Sequence, residues 1–355
     1  MRPEDFHPIL EKGILAPSAD NLQPWKFKLG QDQMDVFLDS DRIKNFCDEG
    51  YLVPYLSAGA VIENMRVAAT HSGYRLSTAY FPNRNDPLWV ATLQFRSANP
   101  ESHPHYAALT QRVTNRKFYT LWKKVDDPIY SKLEHLVSPE RGFKLVWIKK
   151  KHPSFRKLSP LLGAADQLRF ENERLHQELI ETLRFNEKEV QKTKDGLDLK
   201  TLESGIGGEL IFKLARSWKR LNLLNALGMS SLFNFYTQAQ LFTSQAVGLI
   251  MAPSYKPLDY VVGGELMEKI WHELTLNHLA IQPMEALPIF ILNLRLTEGR
   301  NFGEKQRKKL EELKRDFLSL FGISETNGLI LLFRLGYAKR PKTHSLRRPR
   351  ESFLI

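Results

Sequence analysis

The stretch PSADNLQPW at residues 17–25 constrains the fold more than any other part of the chain. Proline fixes its own φ angle and pushes the preceding residue away from helical geometry. The two prolines therefore exclude a helix or a regular strand over these residues. Residues 26–29 then read as a strand, so the sequence predicts a stiff loop that leads into a sheet.

The polar groups of this loop can be interpreted in two ways. Ser18, Asn21 and Gln23 carry hydroxyl and amide groups that donate and accept hydrogen bonds, and Trp25 offers a flat apolar surface. Such a surface suits a planar heterocycle with donors and acceptors along its edge. The alternative is a local turn in which Ser18 or Asp20 caps a helix and Trp25 belongs to the core. The residues alone leave both interpretations open.

The hydrophobic pattern of the remaining chain predicts an α+β fold. Strands are expected at 26–29, 35–38, 88–95, 143–148, 246–252, 289–294 and 329–335. Helices are expected at 5–15, 57–72, 106–113, 163–194, 209–227, 264–279 and 305–321.

Two of the predicted helices contain similar stretches. GAVIE at 59–63 and GELME at 264–268 both start with glycine and carry glutamate four positions later. This similarity indicates either an internal repeat or two helices of similar pattern.

The formal net charge of +11 over 355 residues favours anionic partners such as phosphates and nucleotides. The single cysteine, Cys47, excludes an internal disulfide framework and fits a reducing compartment. The first residues lack the apolar core of a signal peptide, and the longest apolar stretches are far shorter than the roughly 20 residues of a membrane helix. We therefore expect a cytoplasmic protein that does not bind membranes.

Motifs of several catalytic classes are missing from the sequence. It contains no Gly-x-Gly-x-x-Gly fingerprint, no Gly-Lys-Ser/Thr phosphate loop and no Gly-x-Ser-x-Gly elbow. Its ten histidines show no metal-ligand spacing. The sequence thus predicts no catalytic side chain and no metal site, and a redox reaction would depend on a bound cofactor.

The stretch at 17–25 resembles the Pro-Ser-x-x-Asn-x-Gln-Pro-Trp signature of the nitroreductase superfamily of flavin proteins. In that family the loop lies beside FMN and crosses a dimer interface. The resemblance implies that Pro17, Ser18 and Ala19 contact the flavin, while Asn21 and Gln23 organise the loop. It also implies a central, mostly antiparallel sheet flanked by helices.

Two further segments resemble the same family and imply contacts to the FMN phosphate. RVTNR at 112–116 is similar to its Arg-Arg-Ser-x-Arg motif, and LGY at 335–337 followed by RRP at 347–349 is similar to its C-terminal motif. Guanidinium groups suit this task because their forked donors match phosphate oxygens and stay charged. On its own, each segment could equally be a solvated basic surface. The implied phosphate-binding residues are Arg112, Thr114, Arg116, Arg347 and Arg348.

A looser similarity concerns IQPMEA at 281–286, where the family brings a backbone N–H to N5 of the flavin. It implies that Pro283, Met284 and Glu285 contact the cofactor, with Glu285 acting through its amide. The other interpretation is a plain connection between a helix and a strand.

The order of the motifs resembles the Acg-like branch, in which one chain looks like two fused and diverged nitroreductase subunits. Residues 1–104 would form one half and residues 105–355 the other, with a helical insertion at about 151–240. The chain would then complete its own FMN site at an internal interface. We therefore expect a monomer that is an internal pseudo-dimer.

The resemblance implies an FMN-dependent oxidoreductase that passes hydride from NAD(P)H to a small organic acceptor. The alternative is an FMN-binding or FMN-sequestering protein without turnover, in which Phe233, Phe235 or Tyr236 of the insertion covers the flavin. Nucleic-acid binding through the basic helix at 209–227 is not expected, because no recognised module accompanies it.

Overall fold

The computed structural model describes residues 3–43, 48–205 and 207–355, so that Cys47 lies outside the described residues. Its secondary structure is mixed, with antiparallel sheets flanked by helices, which confirms the predicted α+β class. Among the described residues, every helix is too short or too polar to cross a lipid bilayer.

The strands of the described residues form two four-stranded sheets and one small pair. They are β1 (Trp25–Leu29), β2 (Gln33–Leu38), β3 (Tyr74–Tyr80), β4 (Trp89–Ser97), β5 (Lys144–Lys149), β6 (Leu183–Arg184), β7 (Leu197–Asp198), β8 (Ala246–Ala252), β9 (Ala280–Pro283) and β10 (Gly328–Gly336). The first sheet has the order β1-β2-β4-β3 and the second β5-β8-β10-β9. All neighbours in these two sheets are antiparallel, whereas β6 and β7 pair in parallel.

The helices surround and connect these sheets. They are α1 (His7–Gly13), α2 (Leu52–His71), α3 (Ala108–Gln111), α4 (Asp127–Val137), α5 (Pro153–Glu171), α6 (Glu173–Thr182), α7 (Glu187–Thr193), α8 (Gly208–Leu214), α9 (Trp218–Ala226), α10 (Met229–Phe242), α11 (Pro257–Leu276), α12 (Ala286–Thr297) and α13 (Glu304–Phe321).

The second sheet is covered on both faces. Its central strands β8 and β10 are almost wholly apolar in sequence, and every residue of both is buried. Side chains alternate across a strand. Ala246, Ile250 and Ala252 accordingly join the core that contains α11, while Val247, Leu249 and Met251 join the core that contains α12 and α13.

Helices α2 and α11 cross in direct backbone contact at two glycines. A Cβ atom on Gly59 would overlap the carbonyl oxygen of Val261, and a Cβ on Gly264 would overlap the carbonyl oxygen of Leu56. Each α2 residue therefore corresponds to the α11 residue 205 positions later, because Leu56 matches Val261 and Gly59 matches Gly264. This reciprocal contact agrees with the prediction of two diverged repeats.

One predicted element has the wrong type. Residues 289–294 were expected to form a strand, but they lie inside helix α12. A short apolar run cannot be assigned by periodicity alone, because a buried helix and a buried strand are apolar on all sides. Pro288 stands in the first turn of α12, where a proline has no helical hydrogen bond to lose.

The helical insertion is more divided than its hydrophobic pattern predicts. The helix expected at 163–194 is three helices, α5 to α7, because Asn172 and Asn186 cap new N-termini. Their Oδ1 atoms accept hydrogen bonds from the backbone N–H groups of Leu175 and Glu189, at 3.2 and 3.0 Å. The helix expected at 209–227 is similarly the pair α8 and α9, and β3, α4 and α10 were not predicted.

The helix crossing generates a stability prediction. Gly59→Ala and Gly264→Ala should each lower the free energy of unfolding by at least about 2 kcal/mol, because the methyl group would force the backbones apart. Gly303→Ala serves as the control, since a Cβ there meets no atom within 4 Å. Urea unfolding followed by circular dichroism measures the effect. Equal unfolding midpoints for all three variants would refute the close crossing.

Candidate functional site

The loop at 17–25 has an unusual backbone. Asp20, Asn21 and Gln23 have φ angles of 48°, 55° and 54°. This left-handed region costs a non-glycine residue on the order of 1–3 kcal/mol, and such strain persists only where the surroundings hold it. Lys194 and Glu203, which contact the site from the insertion, also have positive φ angles.

Asn21 ties the loop to two distant segments. Its Nδ2 donates hydrogen bonds to the carbonyl oxygens of Gly196 and Leu346, both at 3.1 Å. Its Oδ1 accepts a hydrogen bond of 2.8 Å from Nη1 of Arg347. The side chain is buried, and these hydrogen bonds from protein groups satisfy both its amide nitrogen and its amide oxygen.

Gln23 closes the loop on itself and on the same two segments. Its backbone N–H donates to Oγ of Ser18 at 2.9 Å, which fixes that hydroxyl inside the loop. Its Nε2 donates to the carbonyl oxygen of Lys194 at 3.0 Å, and its Oε1 accepts from the backbone N–H of Arg348 at 2.9 Å. These bonds hold the left-handed residues in place.

Two buried guanidinium groups meet on the chain just before the loop. Arg112 and Arg347 both donate to the carbonyl oxygen of Leu15, at 2.8 and 2.9 Å. Burial and the neighbouring charge of Arg112 lower the pKa of Arg347 to about 9, although Glu268 acts in the opposite direction. Glu268 lies 3.1 Å from Nε of Arg112 and is itself fully buried. This pair of arginines therefore has one carboxylate between them.

A second pair of arginines consists of Arg116, which is partly buried, and Arg334, which belongs to the second sheet. Nη1 of Arg116 donates to the carbonyl oxygen of Thr201 at 3.0 Å, and its backbone N–H donates to Glu203 at 2.9 Å. Arg334, in the middle of β10, is completely buried. It donates to Oε1 of Gln282 at 2.8 Å.

Burial lowers the pKa of both Arg116 and Arg334, as expected for cations that have lost part of their hydration. Sequence reasoning did not assign Arg334 a role. The sequence feature that indicates a role is that Arg334 is a lone charge in the apolar run of β10. A buried arginine is costly unless its donors are used.

Strand β9 brings the segment at 281–285 against the arginines. The backbone N–H of Asn115 donates to the carbonyl oxygen of Ile281 at 3.0 Å. Met284 and Glu285 both bond to the backbone of Leu332, through the amide of Met284 at 2.8 Å and the carboxyl Oε1 of Glu285 at 2.7 Å. Burial raises the pKa of Glu285 to about 8.

The structure thus gathers most of the predicted cofactor residues around one centre. The arginine segment at 112–116 contacts the chain before the loop through Arg112 and contacts β9 through Asn115. Arg348 also belongs to this centre, since its Nη2 lies 3.3 Å from the carbonyl oxygen of Gln23. Its buried Nε has no hydrogen-bond partner among the described residues. Thr114 is half-buried beside them.

A cleft opens on the other side of the loop. Its volume is about 120 Å³, and it is lined by Ala19 and Asp20 of the loop, by Val53 and Ser57 of α2, and by residues of α6 and α12. Small-molecule sites usually measure roughly 300–1,000 Å³. Ala19 is the one predicted cofactor residue in its lining.

The chemistry of the centre fits the phosphate of FMN better than the cleft fits the flavin ring. Four buried or partly buried arginines, Arg112, Arg116, Arg334 and Arg347, face the three carboxylates of Asp20, Glu203 and Glu268. Lys117 adds another cation, 3.2 Å from Glu203. Unbalanced buried positive charge is stabilised by an anion. Within the described residues there is no group of three side chains suited to a metal ion.

The sequence is similar to several proteins of Mycobacterium tuberculosis. The uncharacterized protein MT1398 is 25% identical over 345 residues, which cover 97% of this chain and 47% of that protein. "Putative NAD(P)H nitroreductase acg" is 36% identical over 90 residues, which cover 25% of this chain and 27% of that protein. "Putative NAD(P)H nitroreductase Rv3131" is 26% identical over 121 residues, 34% of this chain and 35% of that protein.

The chain is thus similar in sequence to proteins named as putative NAD(P)H nitroreductases. It spans about half the length of the first of these relatives and a smaller share of the others. No protein-family model matches it.

Solved structures of the superfamily are similar to the chain at low scores. The FMN- and NADPH-dependent nitroreductase NfnB from sphigopyxis sp. strain HMH gives a TM-score of 0.40 at 11% identity, over 70% of this chain and 97% of that one. NfnB from Mycobacterium smegmatis in complex with NADPH gives 0.35 at 14% identity, over 66% and 88%. These scores are too low for individual elements to be compared.

Burial of Glu285 generates a pH prediction. Its folded-state pKa of about 8 lies above the ordinary value of 4.5. The unfolded chain therefore releases this proton first as pH rises, and the native state loses stability between about pH 4.5 and 8. Glu285→Gln removes the titration and can still accept from the Leu332 N–H. The variant should gain stability over the native protein across this range, by up to about 5 kcal/mol.

Urea unfolding at several pH values measures this difference. Glu134→Gln, at an exposed position of α4, is the matched control and should leave the pH profile unchanged. A Glu285→Gln profile parallel to that of the native protein would contradict the buried, proton-holding carboxyl.

Proposed function

We propose that the chain binds FMN and is an oxidoreductase that takes hydride from NAD(P)H and reduces a small organic acceptor. The support from relatives is the name of one of them, "Putative NAD(P)H nitroreductase acg". The structural observation that carries the proposal is the excess of buried arginines beside a loop held in a strained, hydrogen-bonded geometry. A phosphate would offset this charge.

The residues of the centre would divide the work of binding. Arg348 would hold the phosphate, because it keeps an unused buried donor. Arg116 would add its positive charge, which has lost part of its hydration on burial and would be stabilised by an anion. Arg112 and Arg347 would act through the loop, since their donors already hold the carbonyl oxygen of Leu15. Arg334 would position the edge of β9 through Gln282.

The loop and β9 would flank the ring system of the cofactor. Pro17, Ser18 and Ala19 would contact one edge, and Pro283, Met284 and Glu285 another. Bound FMN would supply the hydride transfer chemistry, and the protein would supply orientation and electrostatics. Glu285 would hold its proton at neutral pH, because burial raises its pKa to about 8. We assign no side chain a role as catalytic acid or base.

We also propose that one chain completes the site. Residues 1–104 would supply the loop, and residues 105–355 would supply the arginines and β9. The contacts of Arg112 and Arg347 with residues 14–16 support this division, because they join the two parts within a single chain. A monomer in gel filtration that retains FMN would agree with this arrangement.

A specific observation favours the alternative of flavin binding without turnover. The insertion is fastened to the loop, because Gly196 donates to the carbonyl oxygen of Asn21 at 3.2 Å and Asp195 pairs with Arg42. Leu175 and Leu179 of α6 line the small cleft. An insertion held in this way would restrict access of NAD(P)H to a bound flavin.

The three aromatic residues first considered for such a cover lie in different surroundings. Phe233 stacks on Phe170 within the insertion, with ring centroids 3.5 Å apart. Phe235 is exposed. Tyr236 donates from its hydroxyl to the carbonyl oxygen of Glu203 at 3.4 Å. The aliphatic side chains of α6 would form the cover together with Tyr236, which lies beside Glu203.

Reduction of the purified protein separates the two functions. We expect the visible absorbance of oxidised flavin after purification, and bleaching of that absorbance when NADH or NADPH is added without oxygen. If dithionite reduces the bound flavin but NADH and NADPH both leave it yellow, the protein binds flavin without turnover for these donors. A colourless protein that takes up no added FMN would exclude both functions.

Arg116→Gln and Arg348→Gln should each weaken FMN binding by about tenfold or more, because each removes a charge-assisted hydrogen bond to phosphate. Quenching of flavin fluorescence on titration gives the affinity. Arg315→Gln, an exposed change on α13, is the control and should bind FMN as the native protein does. Riboflavin, which lacks the phosphate, provides a second test. Affinities for riboflavin that fall as much as those for FMN would contradict a phosphate role.

A further inference from the structure

Helix α10 carries its polar and apolar faces in the opposite arrangement to an ordinary helix of a water-soluble domain. Its polar side chains point inward: Asn234 donates to Gln167 at 2.9 Å, and Thr237 donates to Asp166 at 2.6 Å. Gln240, on the same inner side, donates to the carbonyl oxygen of Arg116 at 2.8 Å. Amphipathic helices normally bury the apolar side instead.

The outward side of α10 is apolar. Leu232, Phe235 and Phe242 follow one another at helical spacing, and Phe235 is 74% exposed. Side chains in this number on one exposed side of a helix mark an interaction surface, whereas single exposed apolar residues do not.

The neighbouring segment at 117–124 (KFYTLWKK) extends this surface. Phe118 packs edge-on against Tyr236 of α10, with ring centroids 5.7 Å apart. The backbone N–H of Tyr119 donates to Oγ1 of Thr243 at 3.0 Å, directly after the end of α10. Trp122, in the same segment, is 83% exposed. We call the exposed side chains of the two segments the α10 surface: Phe118, Leu121, Trp122, Leu232, Phe235 and Phe242.

Positive charge accompanies the α10 surface. Nζ of Lys150 lies 5.1 Å from the ring centroid of Phe242, and Lys123 and Lys124 directly follow Trp122. Residues 210–258 contain no aspartate or glutamate, although they contain four basic residues in α8, α9 and the link between them. Two acidic residues follow Lys124: Asp126 is exposed, and Asp127 pairs with Lys149 at 2.6 Å.

We propose that the α10 surface docks the protein onto a lipid bilayer that contains anionic headgroups. Leucine, phenylalanine and tryptophan would enter the boundary between headgroups and acyl chains, while the lysines would contact the headgroups. This combination is typical of interfacial helices, which lie on a membrane and do not cross it. It differs from the composition-based expectation of a protein that does not bind membranes.

A second copy of the chain fits the α10 surface less well. A two-fold contact would place the same patch of each subunit against the other. Lys123, Lys124 and Lys150 would then face their own copies, and like charges across an interface oppose association. A bilayer with negative headgroups supplies both the apolar phase and the opposite charge.

Docking on α10 would place the membrane close to the arginine centre. Gln240 contacts Arg116 from the inner side of the helix, and Nη1 of Arg334 donates to the carbonyl oxygen of Gln240 at 3.1 Å. The docking proposal does not depend on flavin binding, because the α10 surface lies on the opposite side of the helix.

Vesicle co-sedimentation of the full-length chain tests the proposal. The chain should sediment with phosphatidylcholine vesicles that contain phosphatidylglycerol. Binding should be weaker at high salt, and weaker to vesicles made of phosphatidylcholine alone. Trp122→Ser with Phe235→Ser should abolish binding. Lys123→Gln with Lys124→Gln should weaken it about 30-fold. These positions are exposed, so circular dichroism should show an unchanged fold.

Matched controls separate the α10 surface from general charge and apolarity. Lys308→Gln with Lys309→Gln removes the same charge from α13, and Leu258→Ser removes an exposed leucine from α11; both variants should bind as the native chain does. Tryptophan emission of the native chain should shift to shorter wavelength on binding, and Trp122→Phe should remove most of this shift.

Three results would overturn the docking proposal. The first is no binding to the anionic vesicles at low salt. The second is equal loss of binding in the control variants. The third is self-association without lipid that Phe235→Ser abolishes, which would make a second copy of the chain the occupant of the surface.

Discussion

The backbone contact between α2 and α11 is the constraint on which the rest of the structure depends. Because Gly59 and Gly264 lack side chains, the two helices approach until carbonyl oxygens of one meet Cα atoms of the other. The two four-stranded sheets then lie around a common apolar core to which both helices contribute. In this arrangement Leu15, just before the loop, accepts a hydrogen bond from Arg112, which follows the first sheet in the sequence.

The candidate site combines two unfavourable features that offset each other in part. The loop holds three non-glycine residues in left-handed geometry, and the adjoining segments bury guanidinium groups. Arg347 serves both, because it donates to Asn21 inside the loop and to carbonyl oxygens of residues 14–16 before it. The loop thus satisfies the donors of an arginine that would otherwise be costly to bury, and the arginine holds the strained loop.

The sequence was most informative where an apolar run has clear ends. Residues 246–252 are a strand with the predicted bounds, and the charged helix expected at 305–321 begins one residue earlier in α13. The loop at 17–25 was also predictable, since two prolines leave few conformations. The strand predicted at 289–294 was wrong, because these residues are buried in a helix. Burial on all sides removes the periodicity that distinguishes a helix from a strand.

Other features depend on partners distant in sequence and could not be derived from local pattern. The breaks at Asn172 and Asn186 needed the capping geometry, and α10 was missed because its apolar side faces solvent. The arginines at 112 and 347 were recognised as residues with a role, but their shared contact with Leu15 follows only from the fold. Arg334 was overlooked because its donors are satisfied by groups from other elements.

The anchoring of Asn21 and Gln23 has a consequence for the order of folding during synthesis. Both side chains bond to residues near 195 and near 347, so the loop cannot take its final geometry until the ribosome has added more than 300 further residues. Such long sequence separations slow folding, because the entropy of closing large loops is lost before the contacts form. Nascent chains would thus carry a first sheet already able to pair its strands, together with an unformed loop. The loop would take its final geometry only when the segment near 347 has left the ribosome and can bond to Asn21 and Gln23.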